Sequence, residues 1–368
     1  MSRAAVSYEV GESLAVVEVA VGDVRPRDVR VRFMASGLCH TDVSLTTGDM
    51  PVAMPIIPGH EGSGIVEEVG SDVEGLRPGM HVAFTGAIAC GRCRPCETGR
   101  PNLCEWGLPT IMSGRQPDGE LRTRDRDGRG IHQWACLGTL AEQAIVPELA
   151  VIPIPDDVPF DVAAVTGCAV LTGAGAVFHR AHVRPGSSTV VFGCGGVGLS
   201  ALQAAVMVGS TMVIAVDPVA AKRDLALRLG ATYAVDPSAG DVAGQIRELT
   251  HGRGADQAFE CAGRPDVVRQ AWDATAVDGT VVTTGVPPAG STVELPADQL
   301  WSTEKTLRAS LYGSGRPRTD IPALIELYRQ GRLHVAELIT RHYRLDQVDA
   351  AVADLLSGAN ARGVIDLS

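Results

Sequence analysis

The sequence predicts an α/β protein of two domains, a β-rich N-terminal half followed by a doubly wound parallel sheet. Three observations carry this reading. The chain has 368 residues, and at about 150 residues per domain that is too much for one core. Residues 1–150 show short period-two runs of β-branched residues broken by turn signals. From about residue 165 to 310 apolar strand-like runs alternate with helical stretches. Composition agrees with a packed protein: 45% apolar and 20% charged residues exclude a disordered chain. A net charge of −11 argues against general affinity for nucleic acid or an anionic membrane. Nine cysteines, an odd number in a long chain, make a poor disulfide framework.

The elements follow in chain order. Glu9, Glu12 and Glu18 stand where a secretory signal would need a basic and then an apolar region. The expectation is therefore a cytoplasmic protein with reduced thiols. Val29–Phe33 alternates with period two, Gly64-Ile65-Val66 leads a second strand, and Arg77–Val82 turns into a third. Residues 112–130 set five Arg against four acids and read as a solvated surface excursion. Pro185–Val216 runs for 32 residues without a charge, yet Gly193, Gly195, Gly196, Gly198 and Gly209 punctuate it. It reads as the strand Thr189–Phe192, a glycine turn, the helix Leu199–Val208 and the strand Met212–Val216, not as a bilayer span. A helix over Ala220–Leu229 and strands near Ala231–Val235, Asp256–Glu260 and Thr280–Gly285 continue the alternation. The helical Asp320–Gln330 and strand-like Gly363–Leu367 do not, so the tail is expected to return to the first domain.

Two motifs carry binding chemistry. Gly193-Cys194-Gly195-Gly196-Val197-Gly198 follows an apolar strand and opens a helix, the context in which G-x-G-x-x-G marks a dinucleotide site. Its glycines permit the tight turn, the approach of backbone to a pyrophosphate and close helix packing, and the helix N-terminus favours phosphate. Asp217, nineteen residues past Gly198, can accept both ribose hydroxyls and would repel a 2′-phosphate, which favours NAD over NADP. Its alternative is a turn aspartate before Pro218, and Lys222 reads either as a ribose neighbour or as a solvated helix lysine. Cys90-x2-Cys93-x2-Cys96-x7-Cys104 gathers four thiols within fifteen residues. Four thiolates suit a closed, structural Zn²⁺ site; unpaired cysteines and a nucleic-acid zinc ribbon are the alternatives, the latter weakened by the acidic balance.

Three further segments bear metal-capable side chains beside small residues: Cys39-His40-Thr41-Asp42, Gly59-His60-Glu61 and Thr166-Gly167-Cys168. Two cysteines and a histidine form one known open zinc set, which leaves a fourth position free. Spacing alone does not bring them together, and each could be an ordinary buried Cys or His.

With these motifs the chain resembles the zinc-dependent medium-chain alcohol dehydrogenases over essentially its whole length. The resemblance rests on CHTD at 39–42, PGHEGSGIVEEVG at 58–70, the cysteine knuckle, TGCAVLTG at 166–173, GCGGVG at 193–198 and VDP at 216–218. It implies a GroES-like catalytic domain over 1–165 and 312–368, and a Rossmann NAD-binding domain over 166–311. It implies two Zn²⁺ per chain, the catalytic one on Cys39, His60 and Cys168, with Asp42 orienting His60 and Glu61 close enough to approach the metal. His40 and Arg362 match positions that contact the cofactor pyrophosphate. Thr41 matches the hydroxyl that takes the substrate proton before hydride passes to the nicotinamide. Met50, Leu108, Val286 and Leu311 line an apolar pocket by position, Val286 also beside the cofactor; their alternative is core packing. Relatives assemble as homodimers and in some cases tetramers.

Two departures bear on substrate. Ser44 stands where many members carry the relay's terminal histidine, and Gly86 where many carry a bulky pocket residue. Both fit a primary alcohol that is bulky, benzylic or allylic. With 4% aromatic residues the pocket is expected to lack a distinctive stacking platform. Thr47–Pro51, the 112–138 loop and Arg362–Leu367 resemble a bacterial subgroup that retains NAD and needs nitroso-dimethylaniline as acceptor in vitro. The rival readings are a thiol-adduct-dependent formaldehyde dehydrogenase and a non-catalytic NAD- and zinc-binding scaffold.

Overall fold

Period-two burial organises the first half of the chain. In the strand Asp28–Leu38, Val29, Val31 and Phe33 are buried, while Arg30 and Arg32 lean to solvent. The computed structural model describes residues 1–368. It divides into two units, Met1–Cys168 with Arg316–Arg329 and Val335–Ser368, and Ala169–Gly315 with Gln330–His334. The sequence reading drew the borders at 165/166 and 311/312.

The first unit holds two sheets. The larger runs Val151–Pro153, His81–Phe84, Glu61–Val69, Asp28–Leu38, Arg362–Asp366, Ile339–Arg344, and Gln143–Pro147 also pairs with Asp28–Leu38. Arg362–Asp366 lies antiparallel to Ala35–Leu38, so the tail completes the sheet that the N-terminal half begins. Burial explains the return: Tyr343, Leu345, Val348 and Leu355 from the tail share one core with Ala4, Val6 and Val19. The smaller sheet runs Ser2–Val6, Ala15–Val21, Thr123–Arg124, Gly130–Gln133, Ile56–Ile57.

That smaller sheet corrects the reading of 112–130 as a solvated excursion. Thr123–Arg124 and Gly130–Gln133 are paired strands, and Gln116 and Arg122 are only 1% and 5% exposed. Arg122 donates to Asp28 Oδ2 at 2.6 Å and to both carboxylate oxygens of Asp118 at 3.2 and 2.7 Å. Counting charges showed a neutral mixture; it could not show that one arginine finds a partner 94 residues away.

The second unit is a six-stranded parallel sheet in the order Tyr233–Val235, Met212–Val216, Ser188–Phe192, Ala255–Glu260, Thr275–Thr283, Thr306–Ala309. In sequence order this is 3-2-1-4-5-6, whose reversal beside the first strand creates a ligand crevice at the strands' carboxyl ends. Ser188–Phe192 is buried throughout, as a strand covered on both faces must be. Trp272 and Phe192 anchor the core. A helical run unread in the sequence, Phe160–Ala181, is long and apolar enough to cross a membrane by length and composition, and 89% of its most apolar window is buried inside the protein. It is a core helix that leaves the first unit at Cys168.

Candidate active site

Strand register brings the first ligand candidates together. Gly37 pairs opposite Glu61, so Cys39, just past one strand, and His60, just before the other, emerge at the same end. Asp42, in the first turn of the helix His40–Thr47, ties the two segments. Its Oδ2 accepts from the Cys39 amide at 3.0 Å, and its Oδ1 from the Gly59 amide and His60 Nδ1, each at 2.9 Å. An ionised carboxylate can only accept, so Nδ1 carries the proton and Nε2 keeps its lone pair. Cys39, His60 and Glu61 place ligand atoms within 4.8 Å of one another. Cys168, on a π-helical turn at Thr166–Val170, shares a thiol hydrogen bond with Cys39. That bond, against the opposing effect of burial, pulls the Cys39 thiol down, while Cys168 is pushed up.

Glu61 is fully buried, and neither carboxylate oxygen has a hydrogen-bond partner. Burial raises it to about 7, against the pull of Arg362. A Cβ at Gly37 would collide with this carboxylate, so glycine is required there. Arg362, 4% exposed, donates to the Leu38 carbonyl at 2.8 Å and lies 3.5 Å from Glu61 Oε1. Two thiols, an imidazole of fixed tautomer and a buried carboxylate without a hydrogen bond are a donor set that suits Zn²⁺.

The other predicted residues fall as follows. The Cys39 thiol donates to Thr41 Oγ1 at 3.7 Å, and the Ser44 hydroxyl donates to the His40 carbonyl within its own helix. His40 is exposed. A Cβ at Gly86 would sit 3.7 Å from both Ala135 Cβ and His60 Cβ, in ordinary van der Waals contact. Met50 packs against the core that holds Phe84 and Trp134. Leu108, Val286 and Leu311 are 37%, 48% and 44% exposed. One aromatic lies beside the ligand candidates: the buried Trp134 stands edge-on to His60, ring centroids 6.4 Å apart at 88°. Low aromatic content bounds how many rings exist, not where one of them lies.

Four further cysteines form a separate cluster. Cys90, Cys93, Cys96 and Cys104 bring their sulfurs within 4.8 Å, with Cys93 3.4 Å from Cys96 and 3.8 Å from Cys104. Tetrahedral zinc with Zn–S bonds of about 2.3 Å separates its sulfurs by about 3.8 Å. The Cys90 and Gly107 amides both donate to Cys104 Sγ at 3.2 Å. Amides at Arg92 and Cys93 draw Cys90 down to about 6, while burial pushes Cys96 up to about 12. Four thiolates at this spacing are stable together only around a cation.

In the second unit, the strand Ser188–Phe192 turns at Gly193, whose φ of 89° suits glycine, into the helix Gly196–Met207. Its N-cap, Gly195, offers no side-chain acceptor, so the amides of the Gly196-Val197-Gly198 turn are uncapped and face a potential anion. Asp217 accepts from the Cys194 amide at 2.7 Å and the Val219 amide at 2.8 Å. It thus does serve its turn, and its carboxylate retains lone pairs for further donors. Lys222 is half-buried on the helix Ala220–Arg228. Its neighbour Arg223, not singled out in the sequence, donates to the Asp217 and Pro218 carbonyls and pairs with Asp236 at 2.9 Å. Adjacent basic residues on one helix give no signal as to which of them turns inward.

Comparison with known proteins agrees with this geometry. Residues 25–156 match the family described as alcohol dehydrogenase GroES-like domain, and residues 196–330 match zinc-binding dehydrogenase. The chain is 40% identical to an NDMA-dependent alcohol dehydrogenase of Amycolatopsis methanolica, covering 99% of this chain and 98% of that one. It is similar to the benzyl alcohol dehydrogenase structure from Acinetobacter calcoaceticus, with a TM-score of 0.94, 32% identity and 100% and 99% coverage. An alcohol dehydrogenase zinc-binding domain protein from Burkholderia ambifaria is equally similar in fold, with a TM-score of 0.94, 37% identity and 100% and 99% coverage.

Proposed function

The chain belongs to the zinc-binding alcohol dehydrogenase family, oxidoreductases that act on CH–OH groups with zinc and a nicotinamide cofactor, and on that premise we propose an NAD-dependent dehydrogenase of bulky primary alcohols. The observation that carries it is the gathering of Cys39, His60 and Glu61 within 4.8 Å, with Asp42 bonded to the first two and Cys168 bonded to Cys39. Zinc bound there supplies Lewis acidity that lowers the pKa of an alcohol oxygen. Cys39 and His60, with Cys168 hydrogen-bonded to Cys39, would hold that ion, with Glu61 as the carboxylate able to approach it, and Cys90, Cys93, Cys96 and Cys104 would hold a second.

Asp42 fixes the proton of His60 on Nδ1 and thereby aims Nε2. Thr41 accepts the alcohol proton at Oγ1 and passes on its own. Ser44 cannot serve as a base near neutrality, so the proton leaves through water or the cofactor ribose. A nicotinamide cofactor bound at the glycine turn would supply the hydride acceptor needed to oxidise the alcohol to its aldehyde. The glycine turn Gly193–Gly198 receives the cofactor phosphates, and the carboxylate of Asp217 disfavours a 2′-phosphate. By the family resemblance, Arg362 and His40 would contact the cofactor pyrophosphate, Lys222 its ribose, and Val286 the cofactor. Gly86, standing where many relatives carry a bulky pocket residue, favours a bulky or benzylic substituent. The likeness to an NDMA-dependent relative supports a cofactor retained through turnover and reoxidised by an external acceptor. Trp301 and Leu300, 79% and 50% exposed near the edge strand Thr306–Ala309, support a homodimer.

The test is a panel of primary alcohols assayed with NAD, NADP and nitroso-dimethylaniline, with bound nucleotide quantified after purification. Oxidation of aryl or long-chain alcohols with NAD is expected, and stoichiometric bound NAD with acceptor-dependent turnover would establish retention. Absence of alcohol oxidation with every cofactor and acceptor would refute the reading.

A further inference from the structure

The stretch Trp134–Leu137 holds two consecutive non-glycine residues in the left-handed region, Ala135 at φ 57° and Cys136 at φ 61°. L-residues adopt that backbone only where their surroundings over-determine it, and such strain gathers at functional sites. Here it borders the ligand set: Trp134 stands edge-on to His60, and Ala135 Cβ faces the space opposite Gly86.

Two buried amides impose the strain. Gln116 Nε2 donates to the Cys136 carbonyl at 3.1 Å and the Ile145 carbonyl at 3.2 Å. Gln133 Nε2 donates to the Leu137 carbonyl at 3.0 Å and also to Ile145 at 3.2 Å. The Cys136 thiol donates to the Arg115 carbonyl at 3.1 Å. Ile145 belongs to the strand Gln143–Pro147 of the larger sheet, so the turn is bolted to a rigid element. Gln133 neighbours the turn in sequence, whereas Gln116 reaches it from the excursion, which Arg122 anchors to Asp28.

We propose that Gln116 is a positioning residue for substrate selectivity: it holds the left-handed Ala135–Cys136 turn and thereby sets where Trp134 and Ala135 stand beside His60. The proposal rests on the dehydrogenase reading. Without the Gln116 amide the turn relaxes toward ordinary backbone angles, the wall beside His60 shifts, and discrimination between bulky and small alcohols changes. Gln116 touches neither substrate nor ligand atoms, so zinc content and the KM for NAD stay as they are.

The experiment compares holoenzymes bearing Gln116→Met, Gln116→Asn, and Gln116→Met combined with Cys136→Gly. The readout is the ratio of kcat/KM for benzyl alcohol to that for ethanol. A change of about fivefold or more is expected in Gln116→Met, in the same direction but smaller in Gln116→Asn. Glycine adopts a positive φ without strain, so Cys136→Gly is expected to return the ratio to within about twofold of wild type, which restored stability alone would not do. Ratios within about twofold of wild type in both single variants overturn the proposal. So does failure of both to fold, which would make the amide a support of the whole domain. If the wild-type enzyme oxidises neither alcohol, the dehydrogenase reading fails first; if it oxidises them and the variants leave the ratio unmoved, only this proposal fails.

Discussion

Asp42 accepts three hydrogen bonds, and each serves a different part of the site: the Cys39 amide, the Gly59 amide and the His60 ring. It is 1% exposed, so no water can replace a lost partner. Asn at this position keeps the shape but presents an NH₂ to at least one of these donors. Asp42→Asn is therefore expected to weaken zinc binding by about 10–100-fold, as loss of a carboxylate behind a ligating histidine does. Competition with a chromogenic chelator measures this, and unchanged affinity would show that Asp42 does not orient His60. The Cys39, His60 and Asp42 segments were legible as candidates because they sit among small residues. Trp134 was not, since its place beside His60 depends on two left-handed residues that no pattern announces.

At the scale of elements, the excursion 112–130 shows the ion pairs of a charged segment turned inward. Asp118 feels burial, which pushes its carboxyl up, but the bonds from Arg122, the Glu120 amide and Arg25 prevail and hold it down to about 2. A carboxyl depressed in the folded state stabilises above its unfolded pKa of about 4, and that stabilisation is lost as pH falls toward 2. Stability is accordingly expected to decline through that window, and Asp118→Asn to flatten the decline in urea titrations between those limits. A parallel fall in both proteins would exclude the pair as its source. Arg122→Met leaves Asp28, 4% exposed, with only the Arg25 amide from the set that held it. Breaking a buried pair on one side costs about 3–5 kcal/mol, so this variant should unfold at clearly lower urea. An unshifted midpoint would show that Asp28 is otherwise satisfied.

On the scale of the whole molecule, both cysteine-bearing centres lie in the first unit and the glycine turn in the second. The two centres make separable demands. On the proposed reading, four sulfurs around one ion would hold structure, whereas Cys39, His60 and Cys168 would leave a coordination position for substrate. Elemental analysis is expected to find two zinc atoms per chain. Cys104→Ser should retain one and lower thermal stability, because Cys104 also accepts the Cys90 and Gly107 amides. Cys39→Ala should also retain one, but abolish alcohol oxidation while leaving stability closer to wild type. A single zinc in the wild-type protein would eliminate one of the centres.

The sequence by itself determined the α/β alternation of the second unit, the glycine turn with its downstream aspartate, and the four-cysteine cluster. These are local: strand periodicity, a six-residue motif and ligands within fifteen residues are set by neighbours along the chain. Tertiary structure alone decided the rest. Cys168 meets Cys39, Arg362 reaches Leu38 from 324 residues away, and Gln116 props the turn beside His60. Each of these contacts closes a long loop, whose entropic cost grows only slowly with length, so sequence separation neither forbids nor signals it. What selects the contact is burial. A polar side chain drawn into the core must find a partner wherever the fold supplies one, and the fold is not written in its neighbours.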